Sequence, residues 1–134
     1  MTQPATQQEN YENGLRMRKQ VMGDAYVERT LGQVSEFSRP AQELVTEFAW
    51  GQIWNRPGLD LRIRSMLNLA MLTALNRSHE LSGHIRGALT NGVTEQEIQE
   101  VLLQTMAYCG APAALESFRV AEAVLAETRH QYHQ

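Results

Sequence analysis

Within Asn76-Arg77-Ser78-His79-Glu80-Leu81-Ser82-Gly83-His84-Ile85-Arg86, an arginine, a carboxylate and an imidazole fall at i, i+3 and i+7. On a helix, at about 100° per residue, this spacing sets Arg77, Glu80 and His84 within about 60° of one another. Leu81, Ile85, Ala88 and Leu89 take the adjoining arc and read as a buried stripe. A guanidinium, an acid and an imidazole at the edge of a core can grip a small anion, polarise it and deliver a proton. The same residues have a plainer reading. Glu80 and His84 also form an ordinary i, i+4 helix pair, worth about 0.2–0.5 kcal/mol, and a histidine beside an apolar stripe is commonly just a satisfied core residue.

The elements that must position this group are all helical. No run alternates with period two, and the punctuation divides the chain into six to seven helices. A flexible segment, residues 1–10, precedes one domain over residues 11–129 and a short tail, 130–134. Glu9 to Met22 reads as a first helix ending at Gly23, and Asp24 as the N-cap of a second reaching Glu36. Pro40 opens a third, which carries Leu44, Val45, Phe48, Trp50 and Trp54 and stops at the turn Asn55-Arg56-Pro57-Gly58. Asp60 caps a fourth helix to Leu75. Its stripe reads Ile63, Met66, Leu67, Ala70, Met71 and Ala74, with further leucines on the other faces, so it expects a central position or an interface between copies. Ser78 is read as the cap of the fifth helix and Asn91-Gly92 as its stop. Thr94 and Glu97 form a capping box for the sixth, with Ile98, Val101, Leu102, Thr105, Met106 and Cys109 inward. Pro112 opens a seventh to Arg129, with Leu115, Phe118, Ala121 and Leu125 inward.

Composition narrows the function. A net charge of −3 speaks against a general nucleic-acid binder. The bases are nearly all arginine, with Lys19 the one lysine, which leans towards carboxylate ligands or subunit contacts. Cys109 is the only cysteine, so no intrachain disulfide and no CxxC pair exist. The polar start lacks the basic and apolar runs of a signal peptide, and no stretch approaches a membrane span, so a cytoplasmic location is expected. His79, His130 and His133 read as solvent-facing, and the histidines show no metal-ligand spacing with carboxylates, so no metal is expected.

Three blocks together resemble the 4-carboxymuconolactone decarboxylase family, on the alkylhydroperoxidase-D-like fold. They are Ala49-Trp50-Gly51-Gln52-Ile53-Trp54-Asn55-Arg56-Pro57-Gly58-Leu59 followed by Arg64-Ser65, then Asn76-Arg77 with Glu80-Leu81 and His84-Ile85-Arg86. The third is Asn91-Gly92-Val93-Thr94 with Glu97-Ile98 and Glu100-Val101, leading to Tyr108-Cys109-Gly110-Ala111-Pro112-Ala113. The third block marks the wider fold, and the first two narrow the match to the decarboxylase branch. Peroxidase-type members carry a CxxC pair ahead of the shared histidine. Arg77 and Glu80 stand at those positions here, so dithiol chemistry has no nucleophile.

The resemblance implies cofactor-free loss of CO2 from 4-carboxymuconolactone to give 3-oxoadipate enol-lactone, a cytoplasmic step of protocatechuate catabolism by the β-ketoadipate pathway, in a homo-hexamer. The alternatives are a same-fold enzyme acting on a related lactone, or a non-enzymatic helical oligomer that binds a small anion. Such a substrate carries its own electron sink, because the departing carboxylate is conjugated through the ring to the lactone carbonyl. The protein must then anchor the acetate arm, stabilise the dienolate and protonate it. Arg64, Arg77 and Arg56 suit the first task. His84 suits the second. Glu80 or His84 supplies the proton, a carboxyl against an apolar wall being the usual way to keep an acid protonated near neutrality. Trp50 and Trp54 would form a dry wall; by default an i, i+4 tryptophan pair is plain core. Arg86 points away from His84 and is expected at an interface or a shared site. Cys109, on an apolar stripe, is expected to be structural.

Overall fold

The computed structural model describes residues 3–132, so the expectation for His133 lies outside the described residues. Among these, seven α-helices, one π-helical segment and no strand are found, in keeping with the all-α expectation. The helices gather into two compact units, Met1–Asp60 and Leu61–Gln134.

The first unit holds α1 (Gln7–Met22), α2 (Asp24–Gly32), α3 (Arg39–Leu44) and the π-helical segment Val45–Ile53. α1 starts before the expected Glu9 because the Thr6 hydroxyl accepts the Glu9 N–H at 3.1 Å, so residues 7–10 form its first turn rather than a flexible lead. Gly23, at φ 92°, stands where Asp24 was expected to cap α2. α2 ends at Gly32, short of Glu36, and Ser35 and Ser38 then exchange side-chain and backbone hydrogen bonds. α1 crosses the π-helical segment with backbones in contact. A Cβ on Gly14 would lie 1.8 Å from the Thr46 carbonyl oxygen, and one on Gly51 2.2 Å from that of Asn10. Only hydrogen fits at either place. Arg18, buried, donates to the Thr46 hydroxyl at 3.0 Å, and that hydroxyl donates to the Gln42 carbonyl at 2.8 Å.

The second unit holds α4 (Leu61–Ala74), α5 (Ser78–Thr90), α6 (Glu95–Cys109) and α7 (Ala111–Tyr132). Residues 130–132, expected in a tail, continue α7. Its core is Leu69, Leu81, Ile85, Ala88, Val93, Ile98, Leu102, Ala121 and Val124. The α5 stripe falls as expected, with Leu89 at its edge. The capping box at Thr94 and Glu97 is also present.

Two stripes are displaced. On α4 the buried line is Ser65, Leu69 and Thr73, while Leu67, Met71 and Leu75 face outward at 46%, 52% and 61% exposure. The inward hydroxyls are satisfied in place. Thr73 donates to the Leu69 carbonyl at 2.8 Å, and Ser117 of α7 donates to Thr73 at 2.8 Å. On α7 the expected Ala121 is buried and Phe118 packs against the core, but the rest of the buried line is Ala114, Ser117 and Val124, and Leu115 is exposed. Small residues and paired hydroxyls take the most buried positions, with the expected Met66 and Phe118 packed at the edge of the core. Cys109 is exposed at the end of α6, not part of a buried stripe.

Candidate functional site

The α4–α5 hairpin carries most of the residues picked from the sequence, and both ends of α5 are fixed by backbone geometry. Asn76 takes φ 58°, a conformation that asparagine tolerates better than most side chains. It lets the Asn76 N–H reach the Thr73 carbonyl at 3.1 Å and the Arg77 N–H the Leu72 carbonyl at 2.9 Å, the paired bonds of a Schellman stop. Arg77 is then itself the N-cap of α5, at φ −104° and ψ 71°, and its carbonyl accepts from Leu81 at 2.9 Å. At the far end Gly92 sits at φ 88°. Its N–H reaches the Leu89 carbonyl at 3.1 Å and that of Val93 the Ala88 carbonyl at 2.9 Å, a second Schellman stop.

This geometry corrects the three-residue face. Arg77, not Ser78, is the cap, so its backbone is not helical and it does not stack in register with Glu80 and His84. Glu80 and His84 do lie one turn apart on α5. Arg77 and Glu80 are exposed, so among the described residues no apolar wall stands around Glu80. His84 is half-buried and its Nδ1 is shielded from solvent. Arg64, on α4, is likewise half-buried with a shielded Nε.

The two favoured arginines stand at opposite ends of α4. Arg64 lies in the first turn of α4 and Arg77 beyond its last, about 15 Å apart along the axis at 1.5 Å per residue. Helical side chains tilt towards their own N-terminus, which carries Arg64 further from the turn. His84 falls between these ends. The Asn91 amide fixes its level relative to Arg64, donating to the Ser65 hydroxyl at 2.9 Å and the Leu61 carbonyl at 3.4 Å. The sequence marks Asn91 only as a helix stop. Its reach to Ser65, 26 residues away, leaves no local signal. Arg86, expected at an interface, pairs within its own chain with Glu127 of α7 at 2.8 Å.

The aromatic picks lie in the first unit. Trp50 and Trp54 are buried and stack with ring centroids 4.9 Å apart at 13°. The segment is π-helical, with the Trp54 N–H on the Ala49 carbonyl at 3.0 Å, where the sequence suggested a plain α-helix. Asn55 closes it, its amide donating to the Trp50 and Gly51 carbonyls at 2.8 and 3.2 Å. Arg56 is exposed in the following turn.

Comparison with known proteins gives these residues a context. Residues 39–123 match the model of the carboxymuconolactone decarboxylase family. The chain is 46% identical over 112 residues to a nitrosuccinic acid decarboxylase of Metarhizium robertsii, covering 84% of this chain and 78% of that one. It is 38% identical over 117 residues to a 4-carboxymuconolactone decarboxylase of Acinetobacter baylyi, covering 87% of each. A family match across well over half of the chain, and relatives aligned along most of their own lengths, agree in one assignment: the chain belongs to the carboxymuconolactone decarboxylase family.

Proposed function

We propose that this protein is a cofactor-independent carboxy-lyase that converts 4-carboxymuconolactone to 3-oxoadipate enol-lactone and CO2, in the cytoplasm, within protocatechuate catabolism. The observation that carries the reading is the 38% identity along 87% of both chains to the Acinetobacter baylyi enzyme. The 46% identity to the Metarhizium robertsii enzyme favours a second reading, nitrosuccinate as substrate.

The two substrates share one fragment. Each has a carbon bearing the carboxylate that leaves, a CH2–COO⁻ arm that stays, and an electron sink. The sink is the vinylogous lactone carbonyl in one and the nitro group in the other. Loss of CO2 gives a dienolate or a nitronate, and either must then gain a proton on carbon. The protein's part is the same: hold the arm, leave the departing carboxylate poorly solvated, and protonate.

On the α4–α5 hairpin we assign Arg64 to the retained carboxylate, because its guanidinium is partly withdrawn from water. His84 stabilises the anion and delivers the proton. Glu80, one turn earlier and in solvent, returns a proton to His84. Arg77, at the exposed end, has the smaller part. The outward line Leu67, Met71 and Leu75 supports association of copies, which this reading takes to be a homo-hexamer.

Purified protein is to be given each substrate in turn, with CO2 release and product followed. The reading expects faster turnover of 4-carboxymuconolactone; faster turnover of nitrosuccinate installs the second reading, and turnover of neither removes both. His84→Ala is expected to lose about 10²-fold or more in kcat. Arg64→Ala should act mainly on KM. A His84→Ala protein at wild-type rate would overturn the residue assignment.

A further inference from the structure

The outward line of α4 is matched to itself. Arg64, Leu67, Met71 and Leu75 fall at i, i+3, i+7 and i+11, within an arc of about 80° on a helix. Met71 and the two leucines are about half exposed, and no charged side chain stands between Ser65 and Asn76. Leu67 also lines an apolar groove of about 390 Å³ that reaches Val101 of α6, with Glu100 and Gln104 beside it. The bare surface therefore continues from one helix onto the next. Apolar surface edged by charge rather than crossed by it is what a partner covers.

The spacing selects the partner. Leu67 and Leu75 stand equally far on either side of Met71, so a half-turn about Met71 lays Leu67 of one copy on the partner's Leu75. The same half-turn brings Arg64 level with the partner's Ser78, between the partner's Arg77 and the partner's Glu80. One carboxylate there offsets one guanidinium and leaves the other to bind an anion. A parallel copy would instead set Arg64 on the partner's Arg64, like on like. We propose that a second copy of this chain packs antiparallel along this line, and that Arg64 and the partner's Arg77 together hold the retained carboxylate. The inference rests on the assignment of Arg64 to that carboxylate. Two arginines that one α4 holds about 15 Å apart thereby meet at the same end of the pair.

The contact is tested by oxidising cysteine variants made in a Cys109→Ser background, which removes the exposed native thiol. Met71→Cys lies on the twofold axis and is expected to give a covalent dimer, its two Cα atoms within disulfide reach. Leu67→Cys alone is expected to stay unbridged, because its mate lies about 12 Å away along the axis. Co-expressed with Leu75→Cys, it should bridge. Met71→Cys left unbridged, or Leu67→Cys bridging as fast, overturns the antiparallel contact. The shared site is tested with succinate, a dicarboxylate without an electron sink, so the result does not depend on turnover. It is titrated by calorimetry into the wild type, Arg64→Ala, Arg77→Ala and the two variants co-expressed. Each variant alone is expected to bind about tenfold more weakly, or worse. Random pairing of the two leaves about a quarter of the sites with both arginines, and these should bind as the wild type does. Weakening in both single variants without recovery on co-expression removes the shared site and leaves the assignment of Arg64 standing, as does an Arg77→Ala protein that binds normally. Normal binding by Arg64→Ala, or none by the wild type, removes that assignment and the shared site with it.

Discussion

Leu61–Gln134 is held by an apolar cluster of nine buried side chains drawn from its helices and the α5–α6 turn, whereas Met1–Asp60 is held where two backbones touch. In the second unit, close packing tolerates exchange among apolar residues of similar volume. In the first, the Gly14 and Gly51 crossing leaves no room for a single methyl group. Beside its buried Val21, Val27, Trp50 and Trp54, this unit has a polar tie, Arg18 on the Thr46 hydroxyl, with burial drawing the guanidinium below its usual pKa. Both units hide apolar side chains, but only the first also depends on how closely two helices approach. The picked chemistry follows the same division, with stacked tryptophans beside the backbone crossing and His84 and Arg64 on the apolar-cored hairpin.

The sharpest way to break this contrast is a pair of alanines. Gly14→Ala adds one carbon 1.8 Å from a carbonyl oxygen that belongs to the backbone and cannot rotate aside. It is expected to cost at least about 4 kcal/mol, in the range reserved for severe steric conflicts. Leu69→Ala removes a fully buried side chain from the second unit and is expected to cost about 3 kcal/mol, as lost transfer energy plus a cavity. Urea denaturation of both variants measures the difference. A Gly14→Ala protein destabilised less than Leu69→Ala would show that the crossing relaxes, and the two units would no longer differ in kind.

The same contrast explains what could be read from the sequence. Helix number, the α5 stripe, the Thr94 capping box and the Gly92 stop are local signals, and they stand where periodicity and turn chemistry put them. The α4 and α7 stripes were displaced in part because Ser65 and Ser117 find their partners across helices, in the Asn91 amide and the Thr73 hydroxyl, while Thr73 is also satisfied by the Leu69 carbonyl of its own helix. A hydropathy pattern scores them as outward. The π-helical turn was illegible for a related reason, since it accompanies a backbone crossing whose partner, α1, is far off in sequence. For the candidate site, the residue types were legible but their grouping was not. Arg64 and Arg77 look interchangeable until the hairpin separates them, and Arg77 leaves the helical face because Asn76 turns the chain through φ 58°.

A smaller effect tests the electrostatics of the second unit. The Glu97 carboxylate accepts the Thr94 N–H at 3.0 Å, which first of all, with Arg62 second, holds its pKa below the usual value. The folded state therefore binds this proton less readily than the unfolded state. The stabilisation is complete above the ordinary carboxylate range and is lost as pH falls through the lowered folded value. Denaturation midpoints followed from neutral pH into acid should fall more steeply for the wild type than for Glu97→Gln, which has no proton to take up. Parallel curves would remove Glu97 from the acid response. Thr94→Ala, measured near neutral pH, should cost about 1 kcal/mol as a lost cap.

The smallest effect expected is at Arg86, and its smallness sharpens the comparison with Arg18. Each arginine ties two helices of its own unit. Arg18 is buried on a neutral hydroxyl, so its charge is already desolvated and its stem is packed. Arg86 meets Glu127 at 2.8 Å with both side chains about half in water, at 46% and 58% exposure. Water competes for both ends of that pair, and ordering two long side chains offsets much of the attraction. Arg86→Ala is therefore expected to change stability by less than about 0.5 kcal/mol at low ionic strength. In about 1 M salt, where screening acts over some 3 Å, the difference should vanish. A larger and salt-resistant loss would mean that Arg86 is desolvated in the assembled protein, which is the outcome expected of a residue covered by a second copy of the chain.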